Sequence, residues 1–279
     1  MLTAGIVALL APGLARAYDW PVKPFDQQHP IRGAFDDPRS GRSFHFGVDI
    51  SAPDGTPVYA VAAGTVFRYS DAVAVLQPDG HEFSYWHVDT IVSEHADVHA
   101  GDLLGYIRPG WGHVHFAEFD GTSYVNPLRP GGLEPYVDHT APVIGGIDVD
   151  TGGEGLTATV NAYDRPPIAP PPPWQDARWS PQSIRWRILR DGRDVIPWLT
   201  VVDFTTYLPP AMFDQVYAPG TEQNRAGHPG RYLFWLFRGL ELPNGSYVLE
   251  VEAQDSAGNT GTGSTGFVVG GFRPRIQIR

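Results

Sequence analysis

Phe44-His45-Phe46-Gly47-Val48-Asp49-Ile50 alternates apolar residues with His, Gly and Asp, the period-two pattern of a strand with one covered face. That pattern predicts Phe44, Phe46, Val48 and Ile50 on one side and His45 and Asp49 on the other. In a straight strand the Cα atoms of His45 and Asp49 would stand about 13 Å apart, at roughly 3.3 Å per residue, which strains the reach of two side chains to one ion. A bend is therefore expected here. Gly47 is its natural pivot, because it has no Cβ to crowd a metal and tolerates dihedrals that other residues avoid. An ordinary half-buried strand with incidental polar residues is the competing account of this segment.

A second alternating run, Gly112-His113-Val114-His115-Phe116-Ala117-Glu118-Phe119, predicts His113 and His115 on one face, roughly 6.6 Å apart along the strand. Two same-face imidazoles are costly to bury without a charge or metal to receive them. With the isolated His87, these motifs offer four histidines and one aspartate. Zinc takes nitrogen and oxygen ligands, and a catalytic site gives it three protein ligands with a fourth position open. Three ligands and two spare imidazoles fit that count, as a mononuclear zinc hydrolase requires.

These residues resemble the lysostaphin/LytM-type zinc endopeptidases, which cut peptide cross-links in bacterial cell walls. The resemblance runs through Trp20-Pro21-Val22, residues 44–50, Ala52-Pro53-Asp54-Gly55-Thr56-Pro57-Val58-Tyr59-Ala60, Gly64-Thr65-Val66, Tyr85-Trp86-His87, Gly101-Asp102-Leu103-Leu104-Gly105, residues 112–116 and Val125-Asn126-Pro127. It spans residues 20–130, under half of the chain. It implies that His45, Asp49 and His115 hold one Zn2+ per chain, with His87 and His113 as the catalytic residues beside it. It also implies peptidoglycan peptides as substrate and an antiparallel, β-sheet metallopeptidase domain. When bound, zinc would act as a Lewis acid and supply a strong nucleophile at neutral pH. The two flanking histidines could relay a proton to the leaving amine or hydrogen-bond the developing oxyanion.

The chain departs from the family pattern in two places. The usually glycine-rich stretch before the second motif is compressed to Tyr106-Ile107-Arg108-Pro109-Gly110-Trp111-Gly112, and Gln77 stands where a further histidine is frequent. Both alter the groove walls, which Trp86 and Trp111 are candidates to line, with core or rim packing as the alternative. Glu118 falls on the face opposite His115, so packing or solvent exposure is expected for it. His29, His81, His95, His99, His139 and His228 lack paired spacing and are expected to be solvent-exposed.

Residues 1–17, with an apolar core and the small-residue site Ala15-Arg16-Ala17, read as a signal peptide cut before Tyr18. The positive leader that usually precedes such a core is missing, which suggests a start codon assigned too late; a buried helix is the alternative. The core is too short to span a membrane, so a secreted or cell-envelope protein with no membrane span after processing is expected. There is no cysteine, so stability must come from the core and the metal, and a Cys-type structural zinc site is excluded. A net charge of −11 argues against nucleic acid as a partner. A monomer is expected.

Gly and Pro are frequent, and short alternating runs bounded by turn residues recur throughout, which predicts an all-β chain of 279 residues with two cores. The metallopeptidase domain is expected over residues 18–130, a linker over 131–142, an immunoglobulin-like β-sandwich over 143–270 and a basic tail over 271–279. Strands are expected at 144–149, 156–163, 183–189, 232–237, 247–253 and 266–269, with Arg190-Asp191-Gly192-Arg193 as a hairpin turn. Arg165-Pro-Pro-Ile-Ala-Pro-Pro-Pro-Pro-Trp174 reads as a stiff, exposed surface insertion in extended polyproline conformation, with docking on a partner or on the catalytic face as the alternative. Three functions fit: an exported zinc endopeptidase on wall peptides, a non-catalytic relative that binds wall material or activates another hydrolase, and a protein whose sandwich does the binding while the zinc fold supports it.

Overall fold

The computed structural model describes residues 17–270. The signal peptide and the basic tail expected from the sequence lie outside those residues, except for residue 17. Among the described residues the fold is all-β, with antiparallel ladders throughout and one short α-helix, Phe213–Val216. No helix there is long and apolar enough to cross a membrane.

The first half forms one large sheet and one small one. In the large sheet the order runs Ile31–Gly33, Val48–Ser51, His113–Phe119, Glu82–Trp86, Ala72–Leu76, Gly64–Arg68 and Asp97–Val98. His113–Phe119 is central, paired with Val48–Ser51 on one side and Glu82–Trp86 on the other. The small sheet, Pro57–Tyr59, Leu103–Ile107 and Val88–Thr90, completes a core in which Trp20, Ile50, Tyr85, Leu104 and Phe116 are all buried. Val114 and Phe116 point into that core, as their alternation predicts, which leaves His113 and His115 on the other face.

Glu118 shares the core-facing side and is only 1 % exposed. It is not solvated, and it is not plain packing either. Tyr18 Oη donates to its Oε2, His81 Nε2 lies 2.9 Å from Oε1, and Nη1 and Nη2 of Arg129 donate to Oε2 and Oε1 at 2.5 and 2.6 Å. Burial alone would raise its pKa, but these bonds outweigh burial and hold the carboxyl below the usual glutamate range. The expectation that His81 simply faces solvent fails for the same reason: the buried carboxylate captures it.

The second half packs a sheet of Val143–Asp150, Leu156–Tyr163 and Leu233–Leu240 against one ordered Arg193–Asp203, Ser183–Arg190, Gly245–Gln254 and Thr260–Val269. Side chains from both, such as Val160, Phe234, Ile188 and Val251, fill the space between them. Asp191 and Gly192 take φ of 52° and 73° as the two central residues between Ser183–Arg190 and Arg193–Asp203, the geometry of a primed two-residue turn. Arg193–Asp203 was not anticipated as a strand. It is an edge strand, mostly exposed, and the edge is where Pro197 can sit without interrupting a ladder on both sides.

The two halves interlock. Phe44, two residues from Phe46 on the first motif, belongs to the second core, whereas Trp179 from the second half belongs to the first. Ser180 N donates to Asp37 Oδ1 at 2.7 Å, and Tyr217 Oη donates to the Asp36 carbonyl at 2.8 Å. Residues 131–142 also lie against the first half, where Trp20 Nε1 donates to the Pro135 carbonyl at 2.9 Å.

Candidate metal centre

The ladder breaks between Ser43–Phe44 and Val48–Ser51, and the interruption supplies the expected bend. Gly47 is required there by close approach: a Cβ would lie 2.3 Å from the Phe116 carbonyl oxygen and 3.0 Å from His115 Cε1. Because the alternation stops at the break, Phe46 does not join Val48 and Ile50 in the core. Its ring lies 4.6 Å from that of His115 instead, on the wall of the pocket.

Three donor atoms converge. Asp49 and His115 face each other across the ladder, so their side chains share a face. His45 Nε2 lies 2.7 Å from His115 Nδ1, and each of these nitrogens lies 3.1 Å from Asp49 Oδ1. His45 Nδ1 lies 2.7 Å from the Ala34 carbonyl oxygen, which can only accept. The ring proton is thereby assigned to Nδ1, and Nε2 presents its lone pair to the cluster. Asp49 Oδ2 is held by Arg39 Nη2 at 2.8 Å, so the carboxylate is aimed with Oδ1 inward.

The electrostatics suit ligation. Burial comes first in lowering the pKa of His45, and the Arg39 charge adds to it. Burial and the neighbouring His45 take His115 down to about 4. For Asp49, burial pushes upward, but His45, Arg39 and His113 overcome it and hold the carboxyl well below its usual range. Two neutral imidazoles and a carboxylate are the protonation states that a divalent ion needs. The donor set fits zinc: two nitrogens and one oxygen crowd together with at most one proton among them, and a cation at their centre would satisfy all three. His115, Asp49 and His45 were the ligands expected from the sequence, and the fold brings them together.

His87 and His113 stand beside this cluster, their ring centroids 4.9 Å apart. His87 carries φ of 65°, a left-handed backbone that a non-glycine residue adopts only where its surroundings enforce it. Arg108 N donates to its carbonyl and its own N donates to Asp71 O, while Trp111 stacks on its ring at 3.5 Å and 7°. Burial, with His113 and His115 nearby, lowers His87 to about 4. His113 Nδ1 sits 2.8 Å from the Trp111 carbonyl and 2.6 Å from Arg32 Nη2. That nitrogen can donate to the first or accept from the second, but not both, so these two groups together set the tautomer of His113.

All five residues line one pocket of about 590 Å³. Trp86 and Trp111 line it too, as the sequence suggested. Sequence reasoning missed Arg32 and Arg39, and from the second half Tyr207, Gln223 and Asn224, which line the pocket together with Trp174. Trp174 closes the proline-rich segment, so that segment is not merely an exposed insertion: it folds against the site and stacks its tryptophan on Arg32 at 4.5 Å. The run of prolines gave its stiffness, but no local signal gave its destination.

Residues 43–127 match Peptidase family M23. The proteins named DD-carboxypeptidase/endopeptidase Mpg of Neisseria meningitidis serogroup B and Neisseria gonorrhoeae are each 31% identical over 94 residues, covering 30% of this chain and 22% of theirs. The chain thus spans about a fifth of the length of these curated relatives. Among solved structures, a zinc-containing peptidase from Vibrio cholerae aligns at 24% identity over 40% of this chain and 39% of its own, with a TM-score of 0.34. Helicobacter pylori Csd3 aligns at 21% identity over 41% of this chain and 34% of its own, with a TM-score of 0.35. The segment from 43 to 127, which holds His45, Asp49, His87, His113 and His115 alike, is a Peptidase family M23 domain, homologous to the M23 peptidases.

Proposed function

We propose that this chain is an exported zinc-dependent peptidase that hydrolyses peptide bonds in peptidoglycan cross-links or stem peptides. The observation that carries the reading is the convergence of His45 Nε2, His115 Nδ1 and Asp49 Oδ1 in a pocket whose adjoining wall is His87 and His113. His45, Asp49 and His115 would hold the ion, which when bound supplies Lewis acidity at the scissile carbonyl. His87 and His113 move protons beside it, to the leaving amine and at the developing oxyanion. Trp111 covers one face of His87, which limits the directions from which water reaches that ring. Arg39 keeps Asp49 oriented, the kind of supporting contact whose loss typically weakens metal binding about 10- to 100-fold. The second half, which we read as an immunoglobulin-like sandwich over residues 143–270, supplies part of the pocket wall, and the protein acts as a monomer outside the cytosol.

Zinc content of the purified full chain, paired with dye release from labelled bacterial walls in the presence and absence of a chelator, tests this. Chelator-sensitive release with peptide fragments as products is the expected result. One bound zinc alongside intact walls would refute wall hydrolysis.

A further inference from the structure

Arg32 lies on the partition between two recesses. It lines the pocket over the His/Asp cluster and also a neighbouring recess of about 430 Å³, lined by Ser51, Asp54, Pro171 and Pro173 among others. The guanidinium is half-buried, with Trp174 on one side and His113 on the other. Among the described residues it makes no ion pair with a carboxylate, whereas Arg39, Arg108 and Arg129 all do. Asp49 is the one carboxylate lining the main pocket, and Arg39 already occupies its outer oxygen. Arg32 is therefore a cation with no carboxylate at ion-pair distance among the described residues, although the Asp49 charge acts on it from nearby and Asp54 lines the second recess. Burial lowers its pKa, the signature of a charge short of solvent.

A planar guanidinium braced against an aromatic ring is pre-organised for a bidentate bond to a carboxylate. On the reading of the site as a peptidase, the carboxylates that reach it are those of the peptide. We propose that Arg32, clamped beneath Trp174, binds a substrate carboxylate adjacent to the bond that is cut and thereby sets specificity. Trp174 makes the second half a part of this subsite. The carboxylate is either the free end of the peptide, which gives trimming of terminal residues, or a side-chain carboxylate of a residue within it, which gives internal cleavage.

The test uses the zinc-loaded full chain and one synthetic peptide ending in D-alanyl-D-alanine and carrying one side-chain carboxylate. It is prepared in three forms: both carboxylates free, the terminal one amidated, and the side-chain one amidated. Affinity is read by quenching of tryptophan fluorescence, with kcat and KM for hydrolysis measured in parallel. One amidated form should bind about 10- to 100-fold more weakly than the free acid, the range for a charge-assisted hydrogen bond, and that form identifies the carboxylate. In Arg32→Gln the discrimination should shrink to less than about 3-fold, with the loss in KM, while Arg32→Lys keeps part of it through a single point charge. Trp174→Ala should also reduce it. Equal affinity for all three forms, no binding of any, or discrimination that survives in Arg32→Gln would overturn the assignment. Discriminating binding without hydrolysis would uphold Arg32 and sink the peptidase reading instead.

Discussion

Phe44→Ala is the most incisive perturbation of the joint between the two halves. The ring is 2 % exposed and sits among Phe213, Tyr217 and Phe204 at centroid distances of 5.5, 5.7 and 6.1 Å. Truncating a fully buried Phe to Ala typically costs about 3–5 kcal/mol through lost transfer energy and the cavity left behind. For a chain of this size that corresponds to a fall in Tm of roughly 6–20 °C. The effect should not stop at stability, because Phe44 precedes His45 directly and the outer side of His45 is anchored by its backbone bonds to Asp36 and Asp37 and its ring bond to the Ala34 carbonyl. Loosening that loop should weaken zinc binding about 10-fold or more, by analogy with the loss of other contacts that orient a ligand. Thermal unfolding with and without zinc, together with calorimetric zinc titration, reads both quantities, and Phe44→Leu should recover most of each. A Tm within 2 °C of wild type, or a large fall in Tm with unaltered zinc affinity, would refute the claim that the second core positions His45.

Other perturbations separate the remaining roles. His45→Ala should lose zinc, whereas His87→Ala should keep it and lose about 10²- to 10⁴-fold in turnover, the usual contribution of a positioned acid or base; metal analysis beside hydrolysis rates distinguishes them. Glu118→Gln should destabilise the protein by about 2–3 kcal/mol at pH 7, less than for a fully buried pair because Arg129, left against a neutral amide, is only half-buried, and urea unfolding measures it. The sign with pH follows from its lowered pKa: the stabilisation is present above the unfolded-state value and is lost as acidification passes the folded one, so wild type and variant should converge at low pH. Asp164 runs the opposite way. Burial, aided by Asp138 and Asp255, raises it to about 8, so folding retains a proton that the unfolded chain releases, and stability should fall as pH rises from about 4 to 8. Asp164→Asn should flatten that slope in urea midpoints collected across the interval.

The sequence disclosed the centre because its chemistry is local and periodic. Alternation put His113 and His115 on one face, whereas the position of Asp49 across from His115 comes from the ladder register. The bend at Gly47 followed from reach alone, although what demands glycine there is the close approach of the Phe116 carbonyl and not a positive φ. Phe46 was misplaced since alternation was carried through a break that the same argument required. Glu118 was assigned to the correct face, but its four-group polar cluster draws on residues 18, 81 and 129, and no window of sequence contains them. Arg32 and Arg39 were invisible for a similar reason: an arginine in a loop reads as a solvated charge until the fold shows which carboxylate it meets, or that it meets none.

The cross-over of aromatic residues between the two cores bears on how the protein can be dissected. A fragment stopping at residue 142 would present the Phe44 ring to water, leave a void where Trp179 had been and strip Asp37 of the Ser180 amide. The half that carries the His/Asp cluster is thus not a portable cassette. Chimeras that graft it onto another partner should carry the sandwich with it.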